Sequence, residues 1–174
     1  MSQLDFDTVK SNWETYAKLC IKSSKHGMAD LLDAIGERLI TTPFGTHEKD
    51  GGCYAGGLVE YALKTTTKMR TLASTFNLNT ETTSILKVGL LHEVGKVGTL
   101  DEDLFVEQDS SWHREKLGQF YKYNESLSKS TTPDRTLYLL QHFGITLTHD
   151  EYYAVRLSQG AHLEENRFYA NSEP

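Results

Sequence analysis

The chain has 174 residues, 38% of them hydrophobic and 24% charged, enough for one ordinary globular domain with a buried core. Its 18 Lys and Arg stand against 24 Asp and Glu, and the formal charge of −6 with a pI near 5.6 argues against nucleic acid as the main partner. No apolar run reaches the roughly 18 residues of a bilayer span, and the start, MSQLDFDTVKSNWE, lacks the basic and apolar regions of a secretory signal. No membrane partner is expected, the expected location is cytoplasmic, and a local basic pocket is compatible with this balance.

From Phe6 to about Ile21 the apolar positions Phe6, Val9, Trp13, Tyr16, Ala17 and Cys20 step by three or four, as one face of a helix does. Leu31, Leu32, Ile35, Leu39 and Ile40 repeat the pattern. Cys20 and Cys53 form neither a CxxC nor a disulfide framework and read as reduced, buried thiols. TTPFGTHEKDGGCYAGG then breaks the period, because Pro43 and glycines 45, 51, 52, 56 and 57 supply turn geometry, and a long loop is expected.

The next helix is expected from about Leu58 to Phe76, with Leu58, Ala62, Met69, Leu72, Ala73 and Phe76 facing inward. Another opens near Thr80 and carries Ile85, Leu86, Val88, Leu90, Leu91 and Val94; apolar on most sides, it is expected to be the central helix. Residues 99–130 lack a clean period and predict loops, a short hairpin and a helix around Trp112–Leu117. Thr132-Pro133-Asp134 starts a further helix that Gly144 stops, and Thr148 with Glu151 forms a capping box for one that Gly160 ends. The expectation is an all-α, single-domain bundle of about six helices over residues 1–174, with a core from about 26 to 170 and an N-terminal helix within 1–25 packed on it.

The stretch richest in chemistry is LLHEVGKVG, residues 90–98, where His92, Glu93 and Lys96 interrupt a helix that otherwise reads as core. On a continuous helix His92 and Lys96 share a face, and Glu93 is a second candidate metal ligand. Taken alone, the motif reads as a satisfied core histidine beside a helix-end salt bridge.

Together with GGLVEYAL (56–63), SSWHREKLGQFYKYNE (110–125), TPDRTLYLLQHFGITLTHDEYYAVRLSQG (132–160) and LEENRFYA (163–170), however, this stretch resembles the HD-domain superfamily of metal-dependent phosphohydrolases. The resemblance is to a small single-domain branch often found in bacteriophage genomes, and for a phage-encoded chain the location it implies is the host cytoplasm. It implies an all-α, HD-like fold in which His and Asp side chains hold a divalent metal (Mn, Fe, Co, Zn or Mg) that activates water against a phosphoester, commonly of a nucleotide.

At the positions matching the family's ligands the sequence departs from the pattern. Tyr61 stands at the first His, the His-Asp doublet is His92-Glu93, Thr132 stands at a further His, and Ser158-Gln159 replace a second His-Asp pair. A phenol, two hydroxyls and a carboxamide are poor substitutes around a transition metal, leaving His92 and Glu93 as a residual, weak site. His47, Asp134, His162 and Glu164 are the candidates to replace lost ligands. Positions outside the metal set fit the family better, and Glu60, Trp112, Tyr121, Tyr123, Asn124, Glu164 and Asn166 are candidate pocket residues, with Lys96 the candidate catalytic group for charge on a phosphoryl oxygen.

The reading that follows is an HD-fold, phosphohydrolase-like protein with a depleted metal site, a pseudoenzyme that needs no cofactor and binds a nucleotide or a protein partner. The alternatives are an active metal-dependent nucleotide phosphohydrolase with a remodelled site and a purely structural interaction module.

Overall fold

Asp5 starts the first helix by accepting from Thr8 N at 2.9 Å, so that α1 (Phe6–Ser23) begins where a backbone donor would otherwise lack a partner. The computed structural model describes residues 4–160 and 162–170, and α2 (Met28–Thr41), α3 (Gly57–Thr75) and α4 (Thr82–Leu91) follow, with a 3-10 turn at Glu48–Asp50 in the loop before α3. A second 3-10 turn, Val94–Val97, leads to a two-stranded antiparallel sheet, β1 (Phe105–Glu107) with β2 (Tyr121–Tyr123), which brackets α5 (Ser111–Leu117). The chain closes with α6 (Thr132–His142), α7 (His149–Arg156) and α8 (Glu164–Ala170). No helix among the described residues is long and apolar enough to cross a membrane.

The centre is α4, whose Ile85, Leu86, Val88, Gly89, Leu90 and Leu91 are all buried and which packs against α1, α3 and α7. Its contact with α3 is close because Gly89 has no side chain; a Cβ there would stand 2.6 Å from Thr66 Oγ1 and 3.0 Å from Thr66 Cα. Tyr16 and Cys20 bring α1 into the same core, and burial holds the Cys20 thiol up at about 12, so that it is neutral at any physiological pH. Cys53 is also buried and free.

Several expectations change. Eight α-helices, rather than about six, occur among the described residues: α5 falls where a helix around Trp112–Leu117 is expected, and α8 is an additional short one. The buried face of α3 is confined to its first half, Leu58, Val59, Ala62 and Thr66, while Met69 and Ala73 are only partly covered and Leu72 and Phe76 are exposed. Phe6 likewise points outward. α4 ends at Leu91, so His92, Glu93 and Lys96 do not share one α-helical face; the burial pattern continues through Val94 and Val97 in the 3-10 turn instead. α7 ends at Arg156, four residues before Gly160, whose φ of +100° serves the loop to α8.

The 3-10 turn docks on α6 through Gly95, where a Cβ would stand 2.5 Å from Thr132 O and 2.7 Å from Thr136 N. Because both obstacles are backbone, Gly95→Ala is expected to destabilise the fold by about 1–3 kcal/mol, the usual cost of overpacking. The capping box of α7 is present, with Thr148 Oγ1 accepting from Glu151 N and Glu151 accepting from Thr148 N. Thr148→Ala should cost about 1 kcal/mol. Urea denaturation with m-values checked for constancy measures both.

Candidate functional site

The end of α4 places His92 at the C-cap, with its backbone N–H donating to Val88 O at 3.0 Å. Its ring folds back over the same turn, so that Nδ1 lies 3.1 Å from Val88 O and 3.2 Å from Gly89 O. Carbonyls only accept, so these contacts put the proton on Nδ1 and leave Nε2 with its lone pair. Burial pulls the His92 pKa below its ordinary 6.5, against the opposing pull of the adjacent Glu93 carboxylate, and the ring is neutral at neutral pH.

Glu93, 5% exposed, is compensated from two sides. Gln159 Nε2 donates to Oε1 at 2.7 Å, and Lys96 Nζ is 3.3 Å from Oε2 without the alignment of a hydrogen bond. Lys96 also donates to Phe44 O at 2.9 Å and lies 3.4 Å from the centre of the Phe44 ring. Burial lowers its pKa, with Glu93 pulling the other way. Phe44 in turn stacks on Tyr61, centroids 3.6 Å apart and planes at 18°, and the Tyr61 ring is 6.2 Å from that of His92.

The glycine-rich loop makes this arrangement sterically feasible. Phe44 N donates to Gly52 O at 2.8 Å, and that carbonyl passes so close to the start of α3 that a Cβ on Gly57 would stand 1.9 Å from it. Gly52, at φ +63°, would itself meet Phe44 Cβ at 2.7 Å if it carried a side chain. Two glycines thus bring Phe44 over Tyr61 and against Lys96.

Of the positions picked out in the sequence, Tyr61, His92, Glu93, Lys96 and Gln159 come together, and the Ser158 hydroxyl is buried without a hydrogen-bond partner. Thr132 borders a separate cleft with Tyr123 and Asn124. Glu60 is held locally, accepting from Tyr54 at 2.5 Å and pairing with Lys64 at 2.9 Å; burial raises its pKa, but these two partners outweigh it and the net shift is downward. Tyr121 and Lys96 line another cleft, of about 470 Å³, and Trp112 is exposed on α5. Glu164 is exposed, whereas Asn166 is buried as a tie, donating to Gly160 O at 2.9 Å and accepting from Arg156 at 3.2 Å.

The candidate replacement ligands are engaged elsewhere or solvated. His47 meets Thr46 Oγ1 at 2.9 Å and the Asp50 carboxylate at 3.6 Å, Asp134 accepts from Thr131 Oγ1 at 2.7 Å, and His162 is exposed. Among the described residues no three His, Cys, Asp or Glu side chains form a metal-holding group. The donor set around His92 does not fit the metal that the HD resemblance implies: an ammonium stands 3.3 Å from the Glu93 carboxylate, and Gln159 turns its N–H, which cannot ligate, toward the same group. Phe44, which sequence reasoning missed, sits in a loop whose glycines signalled close approach but not which ring would use it.

Breaking a buried pair on one side leaves an uncompensated charge. Lys96→Met is expected to cost about 3–5 kcal/mol, and adding Glu93→Gln should restore most of that loss in a double-mutant cycle by urea denaturation. For His92 the folded-state pKa lies below the unfolded value, so its contribution to stability is intact above about pH 6.5 and lost as pH falls toward the lowered folded value. His92→Gln should therefore lose less stability than the parent between pH 7 and 5. The chain matches no protein-family model, and no curated protein or solved structure is significantly similar to it.

Proposed function

We propose that the protein is an HD-like, phosphohydrolase-type scaffold that acts by binding a small molecule or a protein partner rather than by metal-dependent hydrolysis. The observation that carries this reading is the self-compensated Glu93: its charge is met by Lys96 and its Oε1 by Gln159, both from within the protein. The same contacts commit Lys96, which at 2.9 Å from Phe44 O and 3.4 Å from the Phe44 ring is anchored away from the role of a free phosphoryl-binding cation.

A second reading, phosphoester hydrolysis at a remodelled metal site, draws on two buried oxygens without hydrogen-bond partners, Glu93 Oε2 and Ser158 Oγ, and on the unprotonated Nε2 of His92. Such atoms are few in folded proteins and often mark a missing water or ion. It would require Lys96 to leave Glu93.

The two readings separate in one set of assays. Nucleoside mono- and triphosphates, cyclic nucleotides and p-nitrophenyl phosphate, each with Mn²⁺, Co²⁺, Zn²⁺ and Mg²⁺, are expected to show no turnover that His92→Ala removes. Because a metal bound only by the folded state stabilises it by RT ln(1 + [L]/Kd), EDTA should leave the melting temperature unchanged. A drop of several degrees reversed by Mn²⁺ would favour the second reading.

A further inference from the structure

The chain between β2 and α6 folds, with the start of α6, into a cleft of about 530 Å³, within the roughly 300–1,000 Å³ of small-molecule sites. Its walls carry Tyr123, Ser128, Lys129, Ser130, Thr132 and Arg135. In a chain of net charge −6 this is a local excess of positive charge, since Glu125 is the single acid on the lining among the described residues, against Lys129 and Arg135.

Arg135 is the centre of the cleft. Its stem is fixed by the 3-10 turn, where a Cβ on Gly95 would stand 2.8 Å from Arg135 Cβ, and Nη2 donates to Ser128 O at 3.2 Å. Among the described residues no carboxylate lies within ion-pair distance of its guanidinium or of the Lys129 ammonium. Half-buried, the guanidinium has its pKa pulled down by burial, against the weaker opposing pull of Tyr123 and of the Asp134 carboxylate, which lies beyond ion-pair distance and faces Arg156. Tyr123 supplies an aromatic wall: its ring is anchored on Phe105 at 5.4 Å between centroids, yet it is 62% exposed. Asn124 shapes the rim, donating to Asp103 O and accepting from Ser126.

We propose that this cleft is a metal-independent site for a small oxyanion carried on a flat ring, of the class of aryl or nucleoside monophosphates. Arg135 and Lys129 take the oxyanion, a planar fork being suited to a phosphate, and Tyr123 takes the ring face. The proposal rests on the reading of the protein as a binder but needs neither the HD resemblance nor the residues around His92.

The test is calorimetric titration of the intact protein, without divalent metal and at low salt, with phenyl phosphate, AMP, inorganic phosphate and adenosine. At least one of the two ring phosphates should bind saturably, with inorganic phosphate and adenosine each about tenfold weaker or more, because each lacks half of the recognition. The ratio of phenyl phosphate to AMP tells an aryl from a nucleoside source. Arg135→Gln should weaken the ring phosphate about tenfold. The exposed Lys129→Gln and the packing-preserving Tyr123→Leu, which keep the fold intact even if Arg135→Gln does not, should each weaken it about threefold.

Absence of saturable binding up to millimolar ring phosphate would overturn the proposal. So would binding unchanged by the Lys129 and Tyr123 substitutions. Binding unchanged by those two but lost in the Lys96→Met, Glu93→Gln double variant would place the ligand beside His92, overturning the cleft while leaving the binding function standing.

Discussion

A helix whose C-terminal end is buried must find partners for its last carbonyls and for any polar residue there within the protein, and this constraint organises the residues around His92. The carbonyls of Val88 and Gly89 accept from the His92 ring, Leu90 O accepts from the Tyr16 hydroxyl at 3.1 Å, and His92 O accepts from Thr136 Oγ1 at 3.2 Å. Thr136 Oγ1 also accepts from Gly95 N at 2.9 Å, so one hydroxyl on α6 joins the end of α4 to the turn that follows. His92 thereby has a structural task, capping a buried helix, that consumes one ring nitrogen and fixes which one is left.

The charges follow from the same burial. Glu93 leaves α4 into the interior, where an isolated carboxylate would be expensive, and Lys96 and Gln159 meet it from the next turn and from the turn that follows α7. Lys96 is then short of water itself and finds a carbonyl and an aromatic face on Phe44. Each group thus answers the need of another, and the chain of contacts Gln159, Glu93, Lys96, Phe44, Tyr61 closes the region with the protein's own side chains.

Much of this was legible where one local rule decided the outcome. The stepping of apolar residues gave α1, α2 and the central α4, and Thr148 with Glu151 marked the start of α7, because periodicity and capping are written within a few residues. Local rules failed where tertiary contact decides. The apolar period runs through Leu91 into Val94 and Val97, and nothing in it says that Gly95 must approach α6 and that the α-helix must tighten into a 3-10 turn. Leu72 and Phe76 keep the helical period through the end of α3, yet both are exposed there. For α8 the signal is absent, since seven residues with Phe168 80% exposed show no apolar face. The Glu93–Gln159 contact joins residues 66 apart, and only the resemblance to HD-domain motifs set those two positions side by side beforehand.

If the region beside His92 is closed by its own charges, the ring nitrogens of His92 will report it in a histidine ¹H–¹⁵N correlation experiment with Mn²⁺ added. The expected result is a neutral ring protonated on Nδ1, assigned by comparison with His92→Gln, whose signals are not selectively broadened by Mn²⁺ up to millimolar concentration. Selective loss of the His92 Nε2 signal at submillimolar Mn²⁺, with the other histidines unaffected, would contradict it.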